Sequence, residues 1–305
     1  MPPRDTTATT PTAKPISSLA AMFAQDVEDF GDDMVVGGLP PTTAPLVRSQ
    51  RTAPVADLTG LSKVWMLIGP GGGGKTVLAR WLGGELANRD MLGNTLLAAL
   101  DPTNRTLTDF FENVMQPPSS DPAETVTWLR GLLQFVGKKR GNAVLDFGGG
   151  DVSLARTIDT TPTIADAMEQ DGVGLVAGYV LTPRVDDLAS LVTFEQRGFR
   201  PRATALILNL SKADTPTAFD AVRRQPAYKA AIARGAVELW MPELSQGVAL
   251  RVEQARVTFR QAQDGEAPAG RKPAPISLLE RVEVREFLER MTTEFQAVEG
   301  WLPWA

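Results

Sequence analysis

The stretch 63–82, "KVWMLIGPGGGGKTVLARWL", constrains the chain more than any other. An apolar run breaks into Gly69-Pro70-Gly71-Gly72-Gly73-Gly74, and Lys75, Thr76 and an apolar helical pattern follow. This is G-x-x-x-x-G-K-[ST] without a gap, set between a strand and a helix. Glycines admit backbone conformations that turn successive N–H groups inward around an anion. The helix N-terminus adds partial positive charge. On this reading Gly71, Gly72, Gly73, Gly74, Lys75, Thr76 and Val77 hold the phosphates of a nucleotide. Lys75 reaches the β- and γ-phosphates, and the Thr76 hydroxyl is a ligand of Mg2+. The bland alternative is a flexible glycine-rich turn.

Strand and helix patterns alternate from Lys63 onward. "KVWMLI", "NTLLAAL", "NAVLD", "VGLVAGYVLTP", "ATALILNL" and "GAVELWMPEL" read as strands. "KTVLARWLGGELANR", "AETVTWLRGLLQFVGKK" and "RVDDLASLVTFEQRG" read as helices, and "DFFENVM" as a helical stretch. Continuous apolar strands between helices predict a three-layer α/β fold with a mostly parallel central sheet and helices on both faces. Ligands in such a sheet sit at the C-terminal ends of the strands. Asp101 and Asp146 end two of them. Their plain readings are a strand terminator before Pro102 and a cap for the turn through "GGG".

Four segments are expected: a disordered tail over 1–57, the nucleotide-binding domain over 58–263, a linker over 264–275 and an amphipathic helix over 276–305. The tail is rich in Thr, Pro and Ala, which bury too little apolar surface to offset ordering entropy. Within it Ile16, Leu19, Met22, Phe23, Val27 and Phe30 recur at helical spacing, so a docking helix for a partner or for the body is the alternative. The last helix is read with an apolar stripe of Leu279, Val282, Met291, Phe295, Val298 and Leu302 and an acidic polar face. It is expected to pack on the domain or on a partner rather than on a membrane surface, which calls for basic residues.

Composition removes several classes of chemistry. The 305 residues include no cysteine and no histidine. Disulfides, thiolate chemistry, imidazole-based triads and ordinary zinc sites are therefore excluded. The net charge of −5 argues against strong non-specific nucleic-acid binding. Lys138-Lys139-Arg140 could touch DNA but reads first as a solvated helix end. No apolar run approaches the roughly 20 residues that span a bilayer, and the first residues lack the apolar core of a secretory signal. A cytoplasmic protein with no membrane contact is expected.

"GPGGGGKT" resembles the deviant Walker loop G-K-G-G-x-G-K-[ST] of the ParA/MinD ATPases. Weaker similarities follow in order: "LLAALDPTNRTLTDFF", "NAVLDFGGGD", "ATALILNL" and "VELWMPEL", covering about residues 60 to 260. The resemblance implies catalytic roles for Lys75, Asp101 and Asp146, with Asp101 positioning the attacking water. It implies Mg2+ held by Thr76 and, through water, by Asp146. Asn209 would read the adenine of ATP, with Met241 and Pro242 closing over the ring. Two departures stand out: Ala99 replaces the first Asp of D-x-D, and Pro70 replaces the signature lysine.

The expected function is a Mg2+-dependent ATPase switch that forms a nucleotide-dependent homodimer and meets a partner protein through its tail or last helix. Relatives act in plasmid partition, conjugative mobilisation or intracellular positioning. A GTPase is the alternative, since Asp146–Gly149 satisfies D-x-x-G and "SKAD" (Ser211, Lys212, Asp214) resembles the guanine motif N-K-x-D. A third reading is a nucleotide-dependent interaction module with negligible turnover.

Overall fold

The computed structural model describes residues 46–101, 107–150, 152–267 and 276–305. Two units divide the chain, Met1–Leu46 and Val47–Ala305, and every described residue but Leu46 belongs to the second. The expected tail helix lies outside the described residues.

In chain order the second unit runs β1 (Ser62–Ile68), α1 (Lys75–Asn88), β2 (Thr95–Ala99), β3 (Val114–Met115), α2 (Pro122–Lys139), β4 (Asn142–Asp146), α3 (Ser153–Thr160) and α4 (Ile164–Gln170). It continues with β5 (Val173–Leu181), α5 (Ala189–Gln196), β6 (Ala203–Asn209), α6 (Asp220–Arg223), α7 (Pro226–Ala233) and β7 (Val237–Met241). Three helices follow, α8 (Gln246–Ala255), α9 (Phe259–Asp264) and α10 (Leu278–Phe295). The strands form one sheet in the order β3-β2-β4-β1-β5-β6-β7, and every pairing is parallel.

Helices cover both faces, as the unbroken apolar strands require: all of β5 is buried. Successive side chains point to opposite faces. Trp65 and Leu67 of β1, Val176 and Val180 of β5 and Ala205 and Ile207 of β6 therefore share a core with Leu78 and Leu82 of α1 and Phe287, Met291 and Phe295 of α10. The C-terminal residues fasten to the starts of the strands. Trp65 Nε1 donates to the Trp301 carbonyl at 2.7 Å, Trp301 Nε1 to that of Ala56 at 2.7 Å, and Asn142 Nδ2 to that of Pro303 at 2.9 Å.

Three expectations need correction. The body begins at Val47 rather than 58. Its first residues bury little apolar surface, but they satisfy buried carboxylates: Arg48 pairs with Glu294 at 2.7 Å, and Ser49 Oγ donates to Glu238 at 2.6 Å. The stretch "DFFENVM" is a turn followed by the short edge strand β3 rather than a helix. In α10 the buried stripe is Val284, Phe287, Leu288, Met291 and Phe295, while Leu279 is 80% exposed and Val282 38%. At 3.6 residues per turn those two fall opposite the stripe. The helix packs on the domain, and Asp264, expected in the linker, closes α9.

Candidate functional site

Register brings the site together. Leu67 and Ala99 both lie level with Asp146, so β1, β2 and β4 end side by side. The loops after all three leave from one edge of the sheet. Asn209 and Met241 are likewise level at the ends of β6 and β7.

Glycine is dictated at two points of the loop between β1 and α1. Gly69 has φ +150°, and a Cβ there would collide with the Val180 carbonyl. Gly74 has φ +105°, and a Cβ would collide with Asn209 Nδ2 and approach Met241 Cε to 2.7 Å. Gly74 is also the N-cap of α1 and offers no side chain, so the first N–H groups of the helix face the loop uncapped. The loop after β4 lies against this one, since a Cβ on Gly149 would collide with Gly71. A Cβ on Gly148 would come within 3.0 Å of the Asp101 Cβ.

Lys75 is 6% exposed. Its ammonium donates to the carbonyls of Gly69 at 3.0 Å and Pro70 at 2.7 Å. Burial pushes its pKa down, against the opposing pull of Asp146 and Asp101. Thr76 Oγ1 donates to Asp146 Oδ2 at 2.7 Å. Asp146 is 8% exposed, and burial pushes its carboxyl up to about 6, with Thr76 and Lys75 opposing and Asp101 adding to the rise. Asp146 Oδ1 is buried and meets no donor among the described residues.

That oxygen and the Thr76 hydroxyl suit a hard cation. Among the described residues no three acidic, histidine or cysteine side chains cluster. The described residues therefore form no metal cage of their own. Mg2+ tolerates this, because it keeps several waters and takes substrate phosphate oxygens as ligands.

A cavity of about 400 Å³ opens over these groups. Gly71, Gly72, Gly74, Lys75, Thr76, Val77, Asp101, Asp146, Asn209, Met241 and Pro242 all lie on its wall. Gly73 stays off the wall and turns its carbonyl to Asn209 Nδ2 at 2.7 Å. The side-chain Oδ1 of Asn209 accepts from Ser211 N at 3.0 Å and Ser211 Oγ at 2.8 Å. Asn209 thus clips the loop to the end of β6, and its amide is engaged where base reading was expected. Of the residues carrying the guanine reading, Lys212 lines the cavity and Asp214 is not on its wall.

Sequence reasoning missed one side of the wall: Arg80, Leu107, Leu244, Ala249, Glu253, Phe259 and Phe287. The available signal was Arg80 itself, a cation inside the apolar run "VLARWL". It is 5% exposed, and burial pushes its guanidinium down to about 10, with Glu253 opposing. Its carbon sits 3.6 Å from the centroid of the Phe110 ring and 4.7 Å from that of Phe259.

No protein-family model matches the chain, and no curated protein matches it. Among the described residues no helix is long and apolar enough to cross a membrane.

Proposed function

We propose that the protein is a Mg2+-dependent nucleoside triphosphatase that works as a molecular switch of the ParA/MinD type. The observation that carries this reading is the uncapped glycine loop facing a hydroxyl–carboxylate pair, Thr76 and Asp146, across one cavity. Loop N–H groups and the α1 terminus bind the β- and γ-phosphates. Lys75 leaves the Gly69 and Pro70 carbonyls and turns to the same phosphates. Thr76 and Asp146 hold the cation, Asp146 through water. Mg2+ held by these residues would supply positive charge to the phosphoryl oxygens. Asp101, at the end of the neighbouring strand, orients the attacking water. Pro70 has no cation to offer a second subunit, so a nucleotide-dependent dimer would not be activated by lysine across its interface.

ATP is the proposed nucleotide on the strength of the loop and the "WMPEL" segment, with GTP the alternative that Lys212 keeps open. The resemblance of the loop to the ParA/MinD ATPases supports a cytoplasmic switch in plasmid partition, mobilisation or positioning, with the tail or the last helix proposed to meet its partner. Lys75→Ala tests the core of the reading by titration calorimetry. Loss of a charge-assisted phosphate contact should weaken Mg-nucleotide binding by about ten- to a hundredfold, roughly 1.5–3 kcal/mol, in a chain that still folds. Unchanged affinity would sink the phosphate-cradle assignment.

A further inference from the structure

The cavity does not stop at the phosphate loop. Past Val77 it extends along α1 to Arg80, whose Cα lies about 4.5 Å further down the helix axis at 1.5 Å per residue. This lobe is walled by Leu107, Leu244, Phe259 and Phe287. Arg80 Nε and Nη2 are buried in its side and find no acceptor among the described residues. The rings of Phe110 and Phe259 lie over the guanidinium, but they leave the N–H groups of Nε and Nη2 unanswered. Buried donors on a cation are costly to leave unpaired.

The lobe therefore suits a group that brings its own acceptors. Apolar walls favour a flat, weakly hydrated ring over an inorganic anion, and Glu253 on the same wall repels negative charge. A purine meets these terms, because N7 is an acceptor in both adenine and guanine. Given the nucleoside triphosphate reading above, we propose that the lobe receives the purine base and that Arg80 donates to its N7. Base recognition then belongs to α1 rather than to Asn209, whose amide already clips the loop. Guanine offers O6 beside N7 and adenine offers an amine, so the two bases differ at the second Arg80 donor.

The test is calorimetry on the full chain with ATP, GTP, their 7-deaza analogues and inorganic tripolyphosphate as a phosphate-only probe. The tighter-binding parent nucleotide should lose about tenfold or more in affinity when N7 becomes C–H, the usual scale for a hydrogen bond to a charged donor. Arg80→Met should bind that parent and its 7-deaza form equally, while its affinity for tripolyphosphate stays at the wild-type value. Equal affinity of parent and 7-deaza nucleotides for the wild-type chain overturns the proposal, as does an Arg80→Met variant that still discriminates between them. If Arg80→Met does not fold, the wild-type comparison alone decides. Failure of every nucleotide and of tripolyphosphate to bind removes the phosphate cradle together with this proposal. Binding of all of them without an N7 effect removes the Arg80 assignment alone.

Discussion

Glu238 and Asp146 are both carboxylates at most 8% exposed, and they sit in opposite kinds of surroundings. Glu238, on β7, receives Ser49 N and Oγ, Arg223 Nε, Tyr228 Oη and Trp240 Nε1. Both of its oxygens are surrounded by donors. Asp146, on β4, receives the Thr76 hydroxyl on one oxygen and leaves the other bare. Buried polar groups that serve the fold are satisfied by the fold. Asp146 is held short of that, and the shortfall faces the cavity. A fold keeps such a group where a ligand completes it.

The contrast can be broken most forcefully at Glu238. Glu238→Ala strands Arg223 and Tyr228, and breaking a buried pair in this way should cost about 3–5 kcal/mol in a urea melt. Nucleotide affinity of the folded fraction should be unchanged. A small loss of stability would mean that the donors around Glu238 find water as easily, and the two carboxylates would then be alike.

Asp146→Asn should act in the other direction. The native carboxyl titrates near 6 rather than 3.8, so the folded state is the better proton binder between those values. The burial penalty is absent below about pH 4 and fully present above about pH 6. With roughly two pKa units involved, the asparagine variant should be more stable by up to about 3 kcal/mol at pH 8, and the gain should vanish near pH 4. The same variant should lose the Mg2+ dependence of nucleotide binding. A variant less stable than wild type at pH 8 would show that the carboxylate is already satisfied.

The smallest effect is expected at Asn209, which belongs to the site but is itself well satisfied. Asn209→Ala frees the Gly73 carbonyl and the Ser211 donors, and should cost about 1–2 kcal/mol of stability. Nucleotide binding should weaken through a looser loop, with no change in the ratio of ATP to GTP affinity. A shift in that ratio would return base reading to Asn209.

These tests also separate what the sequence could announce from what it could not. The glycine loop between β1 and α1 was legible because its backbone conformations demand glycine, and glycine is visible in a sequence. Asp146 was legible from its place after "NAVL" at the end of an apolar strand. The Arg80 lobe was not, because Leu244, Phe259 and Phe287 reach α1 only through the packing of α8 to α10, far along the chain. Asn209 was recognised as a site residue, but its role depends on the carbonyl of Gly73 lying beside it. In α10, Leu279 and Val282 spoke for a stripe that the better-packed Phe287 and Met291 override. Residues 47–57 looked like tail because polar hydrogen bonds, unlike apolar burial, leave little trace in composition.

The position of β1 sets an order of events during synthesis. It lies between β4 and β5, and even its nearer partner is far away: Lys63 bonds to the Asn142 side chain across 79 residues. Closing such separations must precede any reward from pairing, which slows parallel sheets. The strand that carries the glycine loop therefore leaves the ribosome long before either neighbour exists. Nascent β1, wholly apolar from Val64 to Ile68, must wait unpaired until β4 has been made, and its other side stays open until β5 follows. A chain arrested before Leu181 holds the complete G-x-x-x-x-G-K-T motif but lacks one wall of the sheet that would keep it rigid.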